Sequence, residues 1–130
     1  IPILGICLGM QLMCQRSEEG DALGLGWFDA SITKKQIKNK LKYKVPHISW
    51  NQVIAPNENK ILKGIESDAE FYFVHSYYVS ATTENEVLCK TTFESEFISA
   101  LSKENIYGVQ FHPEKSHESG FQLLKNFAEL

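Results

Sequence analysis

The chain opens with Ile1-Pro2-Ile3-Leu4-Gly5-Ile6-Cys7-Leu8-Gly9-Met10-Gln11-Leu12-Met13-Cys14-Gln15-Arg16, and this stretch decides the fold. Residues 1–6 are apolar and read as a buried strand. Residues 8–18 read as a helix that ends near Glu18-Glu19-Gly20. Between them stands a cysteine flanked at ±2 by glycines. A strand that turns sharply into a helix forces its apex residue into a strained backbone and pushes that side chain outward. Glycines at ±2 let the two elements pass without a Cβ clash.

A thiol at such an apex suits nucleophilic chemistry. The attacking species is the thiolate, and a free thiol is mostly protonated at neutral pH. The N-terminus of the following helix offers unpaired N–H groups and a partial positive charge, which are expected to lower the Cys7 pKa. The Leu8 N–H is placed to face an oxyanion formed on a group attacked by Cys7. The alternative is a buried structural thiol in a glycine-rich turn.

The 130 residues are one domain's worth of chain, and 43% hydrophobic with 12% aromatic content is enough for a packed core. A net charge of −3 argues against general nucleic-acid binding. The three cysteines, Cys7, Cys14 and Cys89, lack metal-ligand spacing, so no metal or cofactor is expected. Free thiols fit a reduced, cytoplasmic setting. No apolar run approaches the roughly 18–20 residues needed to cross a membrane. The chain starts without methionine on the strand that feeds the elbow. The expectation is a piece of a longer protein, the portion from the elbow onward, with earlier strands of the sheet missing.

Further along, residues 20–26 form a glycine-rich loop with no Gly-Lys-Ser/Thr after it, so it is not a phosphate loop. Trp27 to Thr33 reads as a strand. Six of the twelve lysines fall at 34, 35, 38, 40, 42 and 44. That run reads as a solvated loop or hairpin, or else as a basic lip facing a partner. Ile48 to Ala55 reads as a strand and 59–64 as a helical turn closed by Gly64. Five β-branched and aromatic runs follow at 70–74, 77–81, 86–92, 96–102 and 105–111. Residues 117–130 carry Phe121, Leu123, Leu124, Phe127 and Leu130 at helical spacing, a stripe expected to face the core. Helices at both ends with many strands between them indicate α/β with a mixed sheet, 1–130 forming one domain.

The second chemical cluster is Gln110-Phe111-His112-Pro113-Glu114 at the end of the last strand. In an extended segment His112 and Glu114 project to one side, and Pro113 ends the ladder. A thiol nucleophile needs a base, and the base needs an orienting acceptor. Cys7, His112 and Glu114 supply the three types, and the ends of neighbouring strands are where α/β sites form. Cys14 and Cys89 lie in apolar patterns and read as inert core thiols. His117 reads as a surface residue at a helix start.

With both motifs in hand, the sequence resembles the class I (triad) glutamine amidotransferases. Val45-Pro46-His47-Ile48-Ser49-Trp50-Asn51 and Phe71-Tyr72-Phe73-Val74-His75-Ser76-Tyr77-Tyr78 are similar to segments of the glutaminase subunit of imidazole glycerol phosphate synthase, and Glu114-Lys115-Ser116 continues the match. The resemblance runs over essentially the whole chain and implies a three-layer fold with a mixed sheet. It implies that Cys7 attacks the side-chain amide of L-glutamine to give a glutamyl thioester, that His112 shuttles the proton, and that Glu114 orients His112. Leu8 and Gly9 would line the oxyanion side, and Gln11 and Glu19 would bind glutamine. The backbone at His75, Ser76 and Tyr77 would receive its α-carboxylate end. Pro46, His47, Trp50, Asn51 and Lys115 would face a (β/α)8-barrel synthase subunit in a heterodimer. Ammonia channelled to that partner would serve the formation of imidazole glycerol phosphate and AICAR in histidine biosynthesis.

Two departures from the family pattern stand out. Ser49 occupies a position where the family usually carries glycine. That fits a divergent paralogue, such as the glutaminase partner of a sugar amidotransferase in surface-polysaccharide synthesis. The family also has a segment before the elbow strand that contributes strands and part of the oxyanion hole. The alternative this raises is a catalytically incomplete fragment that only docks on the synthase.

Overall fold

A computed structural model describes residues 1–130. In chain order, the elements are β1 (Ile3–Ile6), α1 (Leu8–Met13), β2 (Arg16–Ser17), β3 (Ala22–Leu23), β4 (Ser31–Lys34), β5 (His47–Gln52), β6 (Glu70–His75), β7 (Tyr77–Ala81), β8 (Val87–Phe93), β9 (Ser95–Lys103), β10 (Ile106–Val109) and α2 (His117–Ala128). The main sheet runs β1-β10-β9-β7-β4-β2-β3, with β8 also paired to β9. β5 and β6 form a separate antiparallel pair. The main sheet is mixed. β1 lies parallel to β10, bringing Ile6 opposite Val109, whereas β10 and β9 run antiparallel.

Alternation along the strands divides the core in two. Phe97 and Tyr107 point into a cluster with Phe71, Phe73, Phe111 and Leu123, beneath β5–β6 and α2. Their neighbours Ile98 and Ile106 pack on the other face, with Met10, Met13 and Phe28 beside α1. The result is three layers around a mixed sheet, as expected from the sequence.

Helix α1 is shorter than the expected 8–18. The loop that follows takes up its last carbonyls, with Leu25 N–H on Leu12 O at 2.8 Å and Phe28 N–H on Met13 O at 3.0 Å. Gly24 packs so closely on Cys14 O that a Cβ there would collide. The chain leaves the helix and runs into β2 instead. The strand expected at 27–33 is shifted to Ser31–Lys34.

Helix α2 matches expectation, but its stripe does not wholly face the core. Leu123 is fully buried, a burial worth about 1.5–3 kcal/mol, whereas Phe121 is 68% exposed. A polar anchor shares the task. Asn126 Nδ2 donates to Ile61 O at 2.9 Å and to Lys63 O at 2.7 Å, fixing α2 to the 3-10 turn Lys60–Leu62.

The lysine-rich stretch is mostly exposed, with one exception. Lys35 is buried, and its Nζ lies 4.7 Å from the Tyr78 ring centroid and 4.8 Å from that of Phe97. Aromatic faces attract a desolvated ammonium, and no hydrogen-bond partner reaches this one. No helix is long and apolar enough to cross a membrane.

Candidate active site

Cys7 sits at φ 54°, ψ −109°, a left-handed backbone that an L side chain rarely adopts. It is held from both sides. Its N–H donates to Val109 O at 2.7 Å, and its carbonyl accepts from Gln11 N at 3.1 Å. Only one of the flanking glycines is needed for passage. A Cβ on Gly5 would meet Met13 Sδ at 2.8 Å and the Gly9 carbonyl carbon at 2.9 Å, whereas one on Gly9 would meet nothing within 4 Å.

Gln110 Nε2 lies 3.6 Å from the Cys7 sulfur, and the thiol points toward Val74 O at 3.9 Å. The expected lowering of the thiol pKa is not what the site produces. Burial pushes it up, and the Glu114 and Glu19 carboxylates add to that. The Leu8 N–H and the Gln110 amide oppose the rise without overcoming it. With only six residues, α1 offers little dipole to offset the desolvation.

His112 and Glu114 are brought together, though not by an extended strand. Pro113–Lys115 is a 3-10 turn with His112 at its N-cap. The turn places Glu114 Oε2 2.8 Å from His112 Nδ1. A carboxylate only accepts, so Nδ1 carries a proton, and in the neutral ring Nε2 is then the acceptor. Tyr72 O accepts the His112 N–H at 2.9 Å, and the Ser116 hydroxyl donates to His112 O at 2.6 Å. Cys7 directly follows β1, and His112 lies three residues past the parallel β10. No hydrogen bond joins their side chains.

Gln11 is buried rather than solvated. Its Nε2 donates to Gln110 Oε1 at 3.0 Å and to Tyr77 O at 3.4 Å. Leu8 is exposed and Gly9 half-buried. Glu19 is exposed in the 3-10 turn Glu19–Asp21, within electrostatic reach of Cys7. Ser76 links β6 to β7, and its carbonyl accepts from Lys35 N at 2.9 Å.

Two residues expected toward a partner bond within the protein, His47 in the interior and Asn51 at the half-exposed edge of β5. His47 is 1% exposed and stacks on Phe73 and Phe93. The alternation of β5 turns it inward while Ile48 and Trp50 face out. The Asn51 amide donates to Thr92 O at 2.8 Å. Pro46 and Lys115 are exposed, as is Trp50 at 40%, with its indole stacked on the His117 ring at 5.1 Å.

Cys14 and Cys89 are buried, each thiol pushed up to about 12 by desolvation. No group of three or more His, Cys, Asp or Glu side chains converges in a way that would hold a metal ion.

The Glutamine amidotransferase class-I family model matches residues 1–130. The chain belongs to that family. It is 50% identical over 126 residues to imidazole glycerol phosphate synthase subunit HisH 2 of Methanococcus maripaludis, covering 97% of this chain and 61% of that protein. It is 45% identical over 129 residues to HisH 2 of Pseudomonas aeruginosa, covering 99% and 63%. With HisH of Leptospira borgpetersenii the identity is 44% over 131 residues, covering 100% and 64%. The chain thus spans a little over three-fifths of the length of these curated relatives. Among solved structures, a protein from Thermoplasma acidophilum assigned as part of a GMP synthase superposes with a TM-score of 0.71 at 22% identity, covering 98% of this chain and 56% of that one. A glutamine amidotransferase from Thermotoga maritima gives 0.60 at 19%, covering 99% and 47%. These two share the fold.

Gln110, whose amide approaches the Cys7 sulfur, is a residue to which sequence reading gave no role. Its position directly before Phe111-His112-Pro113-Glu114 was the available signal. Lys35 was hidden in a lysine run, and nothing in the local pattern marks it as buried.

Proposed function

We propose that this chain carries the glutaminase centre of a class I amidotransferase, hydrolysing L-glutamine to glutamate and ammonia. The observation that carries this reading is the pairing of β1 with β10. It sets the strained Cys7 apex beside the segment that presents the His112–Glu114 pair.

The raised thiol pKa makes the base necessary. Cys7 is largely protonated at neutral pH, so attack on the glutamine amide requires transfer of its proton to His112 Nε2. Glu114 stabilises the imidazolium that forms. Sulfur bonds to the amide carbon, and the Leu8 N–H faces the developing oxyanion. His112 returns the proton to the departing nitrogen, ammonia leaves, and a glutamyl thioester remains. Water then gives a proton to His112 and attacks the thioester, releasing glutamate and restoring the thiol.

Gln11, Glu19 and the backbone of His75–Tyr77 bind glutamine. Pro46, Trp50 and Lys115 lie toward a (β/α)8-barrel synthase subunit that receives the ammonia. The synthase subunit names of the relatives support imidazole glycerol phosphate as a product of that complex, and AICAR in histidine biosynthesis is the other product of this reading. The Ser49 hydroxyl on β5 favours a second acceptor reading, a sugar amidotransferase partner.

The test is ammonia release by the protein with its synthase partner. Cys7→Ala is expected to abolish it, and retained activity would overturn the assignment. Glutaminase turnover that fails to respond to the histidine-pathway intermediate would favour the sugar-amidating acceptor.

A further inference from the structure

Six hydrogen bonds run without a gap from the surface strand β5 to the nucleophile. Ser49 Oγ lies 3.0 Å from His47 Nε2, and His47 Nδ1 lies 3.0 Å from His75 Nε2. His75 Nδ1 lies 2.8 Å from Tyr77 O. The same carbonyl accepts from Gln11 Nε2 at 3.4 Å, and that nitrogen also donates to Gln110 Oε1 at 3.0 Å. Gln110 Nε2 closes the path on the Cys7 sulfur at 3.6 Å.

The direction of every proton in this path is determined. A backbone carbonyl only accepts, so His75 must hold its proton on Nδ1 and accept at Nε2. His47 must then donate from Nδ1, which leaves its Nε2 as an acceptor. Only a donor fits there, and the Ser49 hydroxyl is that donor. Both rings are neutral near pH 7, because burial, helped by the nearby Lys35 ammonium, holds His47 at about 3 and His75 at about 4. Glycine or alanine at position 49 would leave His47 Nε2 without this partner.

We propose that Ser49 is a positioning residue for Cys7: through His47 and His75 it fixes the Tyr77 carbonyl, and through Gln11 and Gln110 it aims an amide N–H at the sulfur. The inference rests on the glutaminase reading for its use in turnover, but its geometry stands apart from that reading. It gives the outer strand, whose Ile48 and Trp50 are exposed on either side of Ser49, a defined connection to the reacting thiol.

Nitrogen-15 NMR of the unaltered protein tests the direction without any variant. Both His47 and His75 should show Nδ1–H tautomers, and an Nε2–H tautomer at either ring overturns the proposal. The rate at which iodoacetamide alkylates Cys7 at pH 8 tests the coupling. Loss of one hydrogen bond typically costs about threefold to tenfold in such an equilibrium. Ser49→Ala should therefore slow alkylation about threefold to tenfold, and Ser49→Thr should restore it. An unchanged rate in Ser49→Ala, or no rescue by Ser49→Thr, overturns the proposal. Neither readout depends on glutamine hydrolysis. If the unaltered protein with its partner releases no ammonia, the glutaminase reading fails while these two measurements still judge the relay.

Discussion

Gln110 points its amide at the sulfur of Cys7, 3.6 Å away, from the residue that directly follows β10. Its oxygen accepts from Gln11, so one fully buried side chain joins the elbow helix to the thiol. The Cys7 environment is therefore a balance. Desolvation and two carboxylates hold the proton on, while two N–H donors favour its release.

Replacing Gln110 by Leu should tip that balance. Removing the donor raises the thiol pKa further and slows Cys7 alkylation at fixed pH. It also orphans one hydrogen of the Gln11 amide, a loss of about 1–3 kcal/mol in stability. Urea unfolding and alkylation rates measured on the same variant check both. A variant as stable and as reactive as the unaltered protein would show that the contact is idle.

Gly5 and Gly9 look equivalent in sequence and are not equivalent in space. Gly5→Ala should destabilise by about 1–3 kcal/mol, since its Cβ meets Met13 and the Gly9 backbone. Gly9→Ala has open space within α1 and should be neutral or stabilising by up to about 1 kcal/mol. Any loss in Gly9→Ala should appear in KM for glutamine, not in the thermal midpoint.

Acid should weaken the fold through the buried histidine pair. Both rings are held neutral in the folded state, at about 3 and about 4, whereas in the unfolded chain they titrate near the ordinary 6.5. Between those values the unfolded state binds more protons. Stability is thus intact above about pH 6.5 and falls as pH drops toward 4, by on the order of a few kcal/mol. Denaturant midpoints from pH 7 to 4 measure it, and His47→Phe should flatten the curve. A flat curve in the unaltered protein would contradict the buried neutral pair.

The elbow, the His-Pro-Glu segment and most strands were legible in the sequence because each has a local cause: glycine and strand–helix context at Cys7, β-branched and aromatic runs from β6 to β10. The early end of α1 was not legible, since it depends on Leu25, Gly26 and Phe28 folding back onto its carbonyls. The inward turn of His47 depends on the register of β5 against β6, which pairs it with His75. The raised Cys7 pKa likewise comes from tertiary burial, where local reading saw only a helix N-terminus.

His112 and Glu114 should act as a unit. His112→Ala is expected to lower glutaminase kcat by about 10²–10⁴-fold. Glu114→Gln should also lower it, by relaxing the tautomer that leaves Nε2 free. A kcat unaffected by Glu114→Gln would remove the orienting role.

Intact-mass and peptide mapping after exposure to a diazoketone analogue of glutamine tests the central claim most directly. A single adduct on Cys7 is predicted, absent in Cys7→Ala and slowed in His112→Ala, with the buried Cys14 and Cys89 untouched. Labelling of Cys14 or Cys89 in the folded protein, or no adduct on Cys7, would contradict it.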